Sequence, residues 1–292
     1  MARSGGASRV IVTRPAHDAD VWVARLQQSG FNAQALPLIE IAAVTHLADI
    51  SALRQSWRRL ADYTACMFVS GNAVAHFFGP LRVSETAFDQ TIHARIAINS
   101  IAAEIPSALR FLAPGPGTVT ALLAAGVPAS QIDAPPPDAT QFDSESLWQV
   151  VGQRDWRGAK VLIVRGKGDA FEGNAGTGRD WLTQQWRVAG SMVDVVSSYE
   201  RRAPRLTAEQ IELAKAASCD GSVWLFSSSE AVANLTQQAA LNGVNWQTAR
   251  AIATHPRIQA AVQAAGWGVV QPSRPALPDI ANTLASIESM QP

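Results

Sequence analysis

Seven short turns rich in hydroxyl and glycine residues stand directly before predicted helices, and their residue types could bind an anion. The residues in these turns are Thr13 and Arg14, Ser70 and Asn72, Gly115, Gly117 and Thr118, Ser144, Arg165 and Gly166, Ser227 and Ser228, and Thr254 and His255. Such a turn presents backbone N–H groups and the positive end of a helix dipole, which attract a carboxylate or phosphate. The same residue types are ordinary helix caps, so one turn alone supports either interpretation. Because ligands gather at the carboxyl ends of parallel strands, several such turns in one place would predict an anion site.

The sequence lacks the motifs of the common cofactors. No Gly-x-Gly-x-x-Gly follows the first strand, no Gly-Lys-Ser or Gly-Lys-Thr follows Arg165, and no Gly-x-Ser-x-Gly is present. The five histidines form no pair at metal-ligand spacing, and Cys66 and Cys219 lie far apart in the chain. The sequence therefore predicts neither a cofactor nor a metal ion.

Charge and hydropathy argue against two classes of partner. The formal net charge is zero and no basic block is present, which disfavours nucleic acid. No apolar run reaches the roughly 18 residues of a membrane-spanning helix, and the first residues lead into a strand without an apolar signal segment. We therefore expect a soluble, reduced, cytoplasmic protein with neither a nucleic acid nor a membrane as partner.

Short apolar runs alternate with helical patterns of about ten to fifteen residues, which is typical of a parallel sheet in an α/β protein. The first strand is predicted over residues 9–13, and its continuous Val-Ile-Val core indicates a sheet covered on both faces. The next helix is predicted over residues 18–29 with Gly30 as its stop, and a later helix is predicted over residues 144–151. Val21, Ala24 and Leu26 are expected on one side of the first of these helices.

Several stretches of the chain occur twice, in the same order. The repeated pairs are 10–14 with 161–165, Gly30 with Gly190, 37–40 with 198–200, 68–75 with 226–233, 113–116 with 253–256, and 124–126 with 264–266. This repeat is far longer than the roughly 20 to 50 residues of a solenoid unit. Duplication on this scale predicts an α/β protein of two similar domains, each a parallel sheet flanked by helices. A cleft between two such domains would suit a ligand.

Nine short motifs, taken together, carry a resemblance to a known family. They are Val-Thr-Arg-Pro at 12–15, Pro-Leu-Ile-Glu-Ile at 37–41, Phe-Val-Ser-Gly-Asn-Ala-Val at 68–74, Gly-Pro-Gly-Thr at 115–118, Ser-Glu at 144–145, Val-Arg-Gly at 164–166, Tyr-Glu-Arg at 199–201, Ser-Ser-Glu-Ala-Val at 228–232 and Ala-Thr-His-Pro-Arg at 253–257. In order and spacing they resemble the uroporphyrinogen-III synthases, the cyclising enzymes of tetrapyrrole biosynthesis. The resemblance extends from about residue 9 to 285. Residues 81–97 and 168–178 depart from it and are expected to be surface insertions, the second within a mobile glycine-rich loop at 166–178.

The resemblance implies a lyase that closes the linear tetrapyrrole hydroxymethylbilane, with inversion of the last pyrrole ring and loss of water. That substrate is rich in carboxylates, which the residues of the seven turns would bind. The resemblance also implies a monomer that needs no cofactor, with the substrate as its main partner and the preceding pathway enzyme as a further candidate.

Tyr199 matches the tyrosine motif of the family, and the resemblance makes it the candidate catalytic residue. Its phenol would hydrogen-bond the departing hydroxyl group, whereas an anchoring role by packing is the alternative. His255 is expected to be a binding contact, with a buried cap as its alternative. A two-lobed protein that senses a small anionic ligand without chemistry remains the alternative function.

The resemblance also favours one of two divisions into domains. In the favoured division the chain crosses between domains twice, and the parts are residues 1–38 plus 203–292 as one discontinuous domain, residues 44–196 as an inserted domain, and residues 39–43 and 197–202 as a two-stranded linker. A simple split near residue 155 is the alternative.

Overall fold

A computed structural model of the chain describes residues 8–82, 105–168 and 178–289. Within them the strands are, in chain order, β1 (Val10–Val12), β2 (Ala33–Ala35), β3 (Glu40–Ala43), β4 (Ala65–Phe68), β5 (Arg110–Leu112), β6 (Ile132–Asp133), β7 (Lys160–Gly168), β8 (Met192–Arg202), β9 (Val223–Phe226), β10 (Arg250–Ala253) and β11 (Val269–Pro272). The helices are α1 (Ala16–Gln28), α2 (Leu47–Arg58), α3 (Gly71–Arg82), α4 (Pro116–Ala124), α5 (Ser144–Val151), α6 (Gly178–Val188), α7 (Ala208–Ala217), α8 (Ser229–Thr236), α9 (Pro256–Ala264) and α10 (Leu277–Ser289). Short 3-10 helices lie at Leu60–Asp62, Ala129–Gln131 and Ala239–Leu241.

The strands form two sheets. One has the order β11-β10-β9-β1-β2, and the other has the order β3-β8-β7-β4-β5-β6. The neighbours in the first sheet run parallel, as do the successive neighbours from β8 to β6 in the second. The prediction of an α/β protein with parallel sheets flanked by helices is confirmed.

The described residues divide into two compact units, one for each sheet. The first unit consists of Met1–Glu40 with Arg202–Pro292, and the second is Ile41–Arg201. The segments that connect them are strands of the second sheet, because β3 begins at Glu40 and β8 ends at Arg202. β3 and β8 are also neighbours in that sheet.

Both faces of the first sheet are covered by apolar side chains. One face packs in a cluster of Val10, Val12, Ala19, Leu26, Ala33, Val223, Leu225, Ile252, Ile280, Leu284 and Ile287. Side chains alternate along a strand, so Trp224 and Phe226 of β9 lie on the opposite face. There they contact Trp267, whose ring stacks on Trp246 with centroids 4.4 Å apart. Burial on both faces explains why β1 and β9 are apolar throughout.

The second sheet is covered in the same way. The cluster on the face toward α3 includes Cys66, Phe68, Phe77, Phe78, Phe111, Leu162, Val164, Val196 and Tyr199. The cluster on the other face includes Ala65, Met67, Leu112, Leu147, Val151, Trp156, Val161, Ile163, Leu182 and Trp186. Cys66 is fully buried, as expected for a small apolar residue in a strand.

Charged side chains hold the outer strands of the second sheet together. Arg110 of β5 donates to both carboxylate oxygens of Asp133 on β6, at 2.9 and 2.6 Å, and Arg154 donates to the same group at 2.7 Å. Burial alone would raise the pKa of Asp133, but these hydrogen bonds outweigh it and lower the pKa to about 2. Asp133 is therefore ionised at neutral pH.

Equivalent glycines end the first helix of each repeat. Gly30 follows α1 with φ 88°, and Gly190 follows α6 with φ 87°. This left-handed backbone closes the helix, and each glycine N–H donates at 3.0 Å to the carbonyl three residues earlier. Gly30 is therefore the stop signal that the sequence predicted.

The buried side of α1 differs from the prediction. Leu26 is fully buried as expected, but Val21 is 39% exposed and Ala24 is exposed as well. Ala19 and Val23 pack into the core with Leu26. These three positions follow the helical spacing i, i+4 and i+7, which puts them on one face.

The predicted loop at residues 166–178 is wrong at its beginning, because β7 continues to Gly168. Neighbouring β8 supplies hydrogen-bonding partners along this stretch and extends the strand through the glycines. Residues 169–177 and most of the predicted insertion at 81–97 lie outside the described residues. No described helix has both the length and the hydropathy needed to cross a bilayer.

Candidate functional site

In the first unit, polar residues follow three neighbouring parallel strands. β1, β9 and β10 lie side by side, so their C-terminal ends share one edge of the sheet. Thr13 Oγ1 donates to the carbonyl of Leu225 at 2.8 Å, and Thr254 Oγ1 donates to the carbonyl of Phe226 at a long 3.5 Å. Both threonines are buried, and their hydroxyl hydrogens connect strands within the sheet.

Two of the predicted turns in this unit cap their own helices. Ser228 Oγ accepts a hydrogen bond from the N–H of Glu230 at 3.2 Å, at the start of α8. His255 Nδ1 accepts one from the N–H of Arg257 at 3.1 Å, at the start of α9. Ser227, which precedes the first of these caps, is half-buried. Capping is therefore an established role of Ser228 and His255.

Helix α1 begins differently, because Pro15 precedes it and no side chain caps it. Arg14 lies beside this uncapped helix start, with its guanidinium 4.4 Å from the ring centroid of Trp22. The Nε of Arg14 is buried and has no hydrogen-bond partner among the described residues. Burial lowers the pKa of Arg14 to about 10, against the opposing influence of Asp18. Arg14 is thus a half-buried cation at neutral pH, beside the positive end of a helix dipole.

In the second unit, β7, β4, β5 and β6 are successive parallel strands, and their C-terminal ends again share one edge. Ser70 follows β4, and its Oγ accepts a hydrogen bond from the N–H of Ala73 at 3.2 Å, which caps α3. Asn72 lies in the first turn of α3 and is half-buried. Ser70 and Asn72 therefore both lie at the C-terminal edge of this sheet.

Helix α4 is the second helix that follows a predicted turn and has no side-chain cap. Gly115 precedes it and carries no capping side chain, and Pro116 is its first residue. The N–H of Thr118 donates to the carbonyl of Gly115 at 3.1 Å, so this N–H is already engaged. Gly117 lies in the same first turn, and Thr118 is 5% exposed. The hydroxyl of Thr118 is therefore the group of this residue that is left to donate a hydrogen bond to a ligand.

Ser144 is not the cap of its helix, which corrects the interpretation of that turn. It is the first residue of α5 and is buried. The cap is Asp143, whose Oδ1 accepts a hydrogen bond from the N–H of Ser146 at 2.9 Å. An acceptor one residue earlier in the chain has the correct geometry for the second and third N–H groups of the helix.

Arg165 and Gly166 do not form a turn before a helix, which is a second correction. Both lie inside β7, which ends at Gly168. The backbone there pairs with β8, so no helix dipole begins at this point. The side chain of Arg165 nevertheless resembles that of Arg14, because its Nε is buried without a hydrogen-bond partner among the described residues.

Two of the predicted site residues, Ser70 and Gly166, lie beside Tyr199 of β8. Its ring is 3% exposed, and its hydroxyl lies 3.2 Å from Ser70 Oγ, where either group can donate. Gly166 is its neighbour on β7. The ring of His76 lies 5.7 Å from the Tyr199 ring, and burial lowers the pKa of His76, which favours the neutral imidazole. No spacing signal in the sequence marks His76, because no other histidine lies near it in the chain.

Tyr63, the other tyrosine, has a structural environment. Its hydroxyl donates to Asp194 at 2.8 Å, and the ammonium of Lys160 lies 4.7 Å from its ring centroid. Burial and the hydrogen bond to Asp194 raise the pKa of Tyr63. No group of three or more histidine, cysteine, aspartate or glutamate residues could hold a metal ion in the part of the chain that the structure describes.

Comparison with known proteins identifies the family. The family model of uroporphyrinogen-III synthase HemD matches residues 20–282. A mutant uroporphyrinogen III synthase from the extremely thermophilic bacterium Thermus thermophilus is similar in structure, with a TM-score of 0.53 and 16% identity over 98% of this chain and 100% of that one. Uroporphyrinogen-III synthetase from Helicobacter pylori gives a TM-score of 0.51 and 14% identity over 96% and 99%. The search of curated proteins found no significant match. The family match over most of its length shows that the chain belongs to the uroporphyrinogen-III synthase family.

Proposed function

We propose that the protein converts hydroxymethylbilane to uroporphyrinogen III, with inversion of the last pyrrole ring and loss of water. The family match over residues 20–282 supports this reaction, and the fold agrees with it. We further propose that the enzyme is a cytoplasmic monomer that takes its substrate from the preceding pathway enzyme.

Arg14 carries the argument for a polycarboxylate substrate. Its Nε is buried without a partner among the described residues, although burial of a cation is unfavourable unless a negative group compensates it. A substrate carboxylate bound between this guanidinium and the uncapped start of α1 would supply that compensation. With a formal net charge of zero, the protein would attract the substrate through local donors of this kind rather than through its overall field.

The second unit offers a comparable set of donors. Arg165 has a buried Nε without a partner in the described part of the chain, and the start of α4 has no capping side chain. We assign the Thr118 hydroxyl and the Gly117 backbone to carboxylate binding there. In the first unit, we assign the orientation of the substrate to the residues that follow β1, β9 and β10, namely Thr13, Ser227, Ser228, Thr254 and His255.

Tyr199 is the candidate proton donor for loss of the hydroxyl group. A hydroxide ion leaves poorly from carbon unless a donor protonates or hydrogen-bonds it. The Tyr199 hydroxyl is held 3.2 Å from Ser70 Oγ in a largely buried position. Ser70 can donate to the Tyr199 oxygen while the phenol proton moves to the hydroxyl group of the substrate, which then leaves as water. His76 beside it is neutral and does not repel a cationic pyrrole intermediate.

The remaining chemistry would belong to the substrate. The pyrrole rings supply the electrons that expel the hydroxyl group and the carbon nucleophile that closes the macrocycle. The protein would hold the chain so that the rearranged closure is geometrically favoured, and correct positioning can lower a barrier by several kcal/mol.

The test is to supply hydroxymethylbilane and to separate the uroporphyrinogen isomers. We expect isomer III to form far faster than in buffer, with the heat-denatured protein as control. A product mixture identical to the uncatalysed one would overturn the proposed reaction.

A further inference from the structure

The pairing of β7 with β8 contains a one-residue bulge beside Tyr199. Arg165 pairs with Ser197, whereas the next residue, Gly166, pairs with Tyr199. Ser198 is therefore the extra residue on β8. Its hydroxyl donates to the carbonyl of Ala73 on α3 at 3.2 Å, which holds the bulge against that helix.

The bulge decides which face of the sheet Tyr199 occupies. Val196 and Tyr199 lie three residues apart on one strand, and in a regular strand they would point to opposite faces. Both nevertheless pack into the same cluster on the α3 face, together with Phe68 and Val164. An inserted residue re-aims the side chains that follow it, as bulges commonly do near active sites. Without the bulge, the phenol of Tyr199 would point away from Ser70.

Gly166 supplies the space that the phenol occupies. A Cβ at this position would lie 2.4 Å from Cζ, 2.5 Å from Cε2 and 2.9 Å from the hydroxyl oxygen of Tyr199. The ring has little room to move aside, because it is 3% exposed and packs with His76. Any side chain at residue 166 must therefore displace the phenol from Ser70.

We infer that the bulge at Ser198 and the absence of a side chain at Gly166 position the hydroxyl of Tyr199 on Ser70. Gly166 and Ser70 are thus positioning residues for the proton donor, an assignment that rests on the proposed function for its catalytic meaning. It also replaces the expected role of Gly166 in binding substrate through a turn.

The positioning can be measured without substrate by fluorine NMR. The chain has two tyrosines, so biosynthetic 3-fluorotyrosine gives two resonances, which Tyr63→Phe assigns. Gly166→Ala is expected to shift the Tyr199 resonance and to leave that of Tyr63 in place. Gly168→Ala is the matched control on the same strand, because its Cβ would meet only the far end of Arg201 at 3.2 Å. A Tyr199 resonance unchanged by Gly166→Ala would overturn the inference.

Ser70→Ala repeats this measurement without added volume and covers the case in which Gly166→Ala does not fold. It too should shift the Tyr199 resonance, since it removes the hydroxyl partner. Ser70 also caps α3, so Asp143→Ala, which removes the cap of α5 in the same unit, is the control for cap loss. Equal resonances in Ser70→Ala and the parent protein would count against the inference.

Turnover gives the second measurement. Gly166→Ala should lower kcat by a factor close to that of Tyr199→Phe, about a hundredfold. The double variant should be no slower than Tyr199→Phe alone, because both changes remove the same function, proton donation by the Tyr199 hydroxyl. Losses that multiply would show that Gly166 does not act through Tyr199. Full turnover in Tyr199→Phe together with a shifted resonance in Gly166→Ala would overturn the catalytic role and leave the positioning intact.

Discussion

Replacing Arg14 with methionine is expected to stabilise the protein and to weaken its function. The side chain is a cation with a buried Nε and no hydrogen-bond partner for that atom among the described residues. Methionine has a similar length, keeps contact with Trp22 and removes the charge. The substrate, in contrast, would lose its proposed carboxylate partner.

The size of the stability effect follows from the pKa of Arg14. Burial lowers it from its ordinary value to about 10, which corresponds to roughly 3 kcal/mol at about 1.4 kcal/mol per tenfold change. The cation–π attraction between the guanidinium and the Trp22 ring offsets about 0.5 to 2 kcal/mol of this cost, and only this attraction is lost in the variant. We therefore expect a net gain of about 1 to 2.5 kcal/mol in the free energy of unfolding at neutral pH.

The functional loss should be larger than the structural gain. A hydrogen bond to a charged group contributes about 1.5 to 3 kcal/mol, so kcat/KM should fall by roughly ten- to 150-fold. Urea unfolding without substrate measures the first effect, and steady-state isomer formation measures the second. Arg25→Met is the matched control, because Arg25 is an exposed residue in the last turn of the same helix. A less stable Arg14→Met variant with normal kcat/KM would refute the reasoning.

Four further outcomes are expected. Tyr199→Phe should slow turnover by about a hundredfold while the isomer outcome and the fold are kept, and near-normal turnover would leave Tyr199 as a packing residue. Thr118→Val should raise KM without removing a helix cap, since Gly115 precedes α4, and unchanged KM would remove Thr118 from the site. Asp133 has a pKa of about 2 in the folded protein, below its ordinary value of 3.8. Its ionised carboxylate therefore contributes about 2 kcal/mol to the free energy of unfolding above pH 4, and this contribution is lost as the pH falls to 2. Urea midpoints that stay constant over that interval would contradict this. Deletion of residues 1–38 should abolish folding, because β1 lies between β9 and β2, and a cooperative unfolding transition in the truncated chain would argue otherwise.

The elements that sequence alone predicted correctly are those that local chemistry determines. The Val-Ile-Val run of β1 is buried throughout, and α5 spans Ser144–Val151 as expected. Gly30 ends α1 because a residue without Cβ adopts positive φ at little cost. Short-range propensities of this kind need no knowledge of the partner in space. The order of the nine motifs likewise sufficed for the family.

The sequence predictions were wrong where contacts with residues distant in the chain determine the local structure. The apolar pattern of α1 allowed more than one face, and contacts with the first sheet buried Ala19 rather than Val21 and Ala24. Gly166 and Gly168 suggested a loop, but β8 pairs with them and continues the strand. Strand pairing depends on a partner elsewhere in the chain, so glycine content alone could not reveal it.

The candidate site was the least predictable part of the molecule. A hydroxyl before a helix is equally suited to capping and to binding, and only the hydrogen bonds show that Ser228 and His255 cap their helices. Sequence supplied Arg14 and Tyr199 as candidates through residue type and family motif. The buried Nε of Arg14 and the face on which Tyr199 lies come from tertiary packing and strand register. Burial and register join residues that are distant in the chain, and for that reason only the folded structure could decide them.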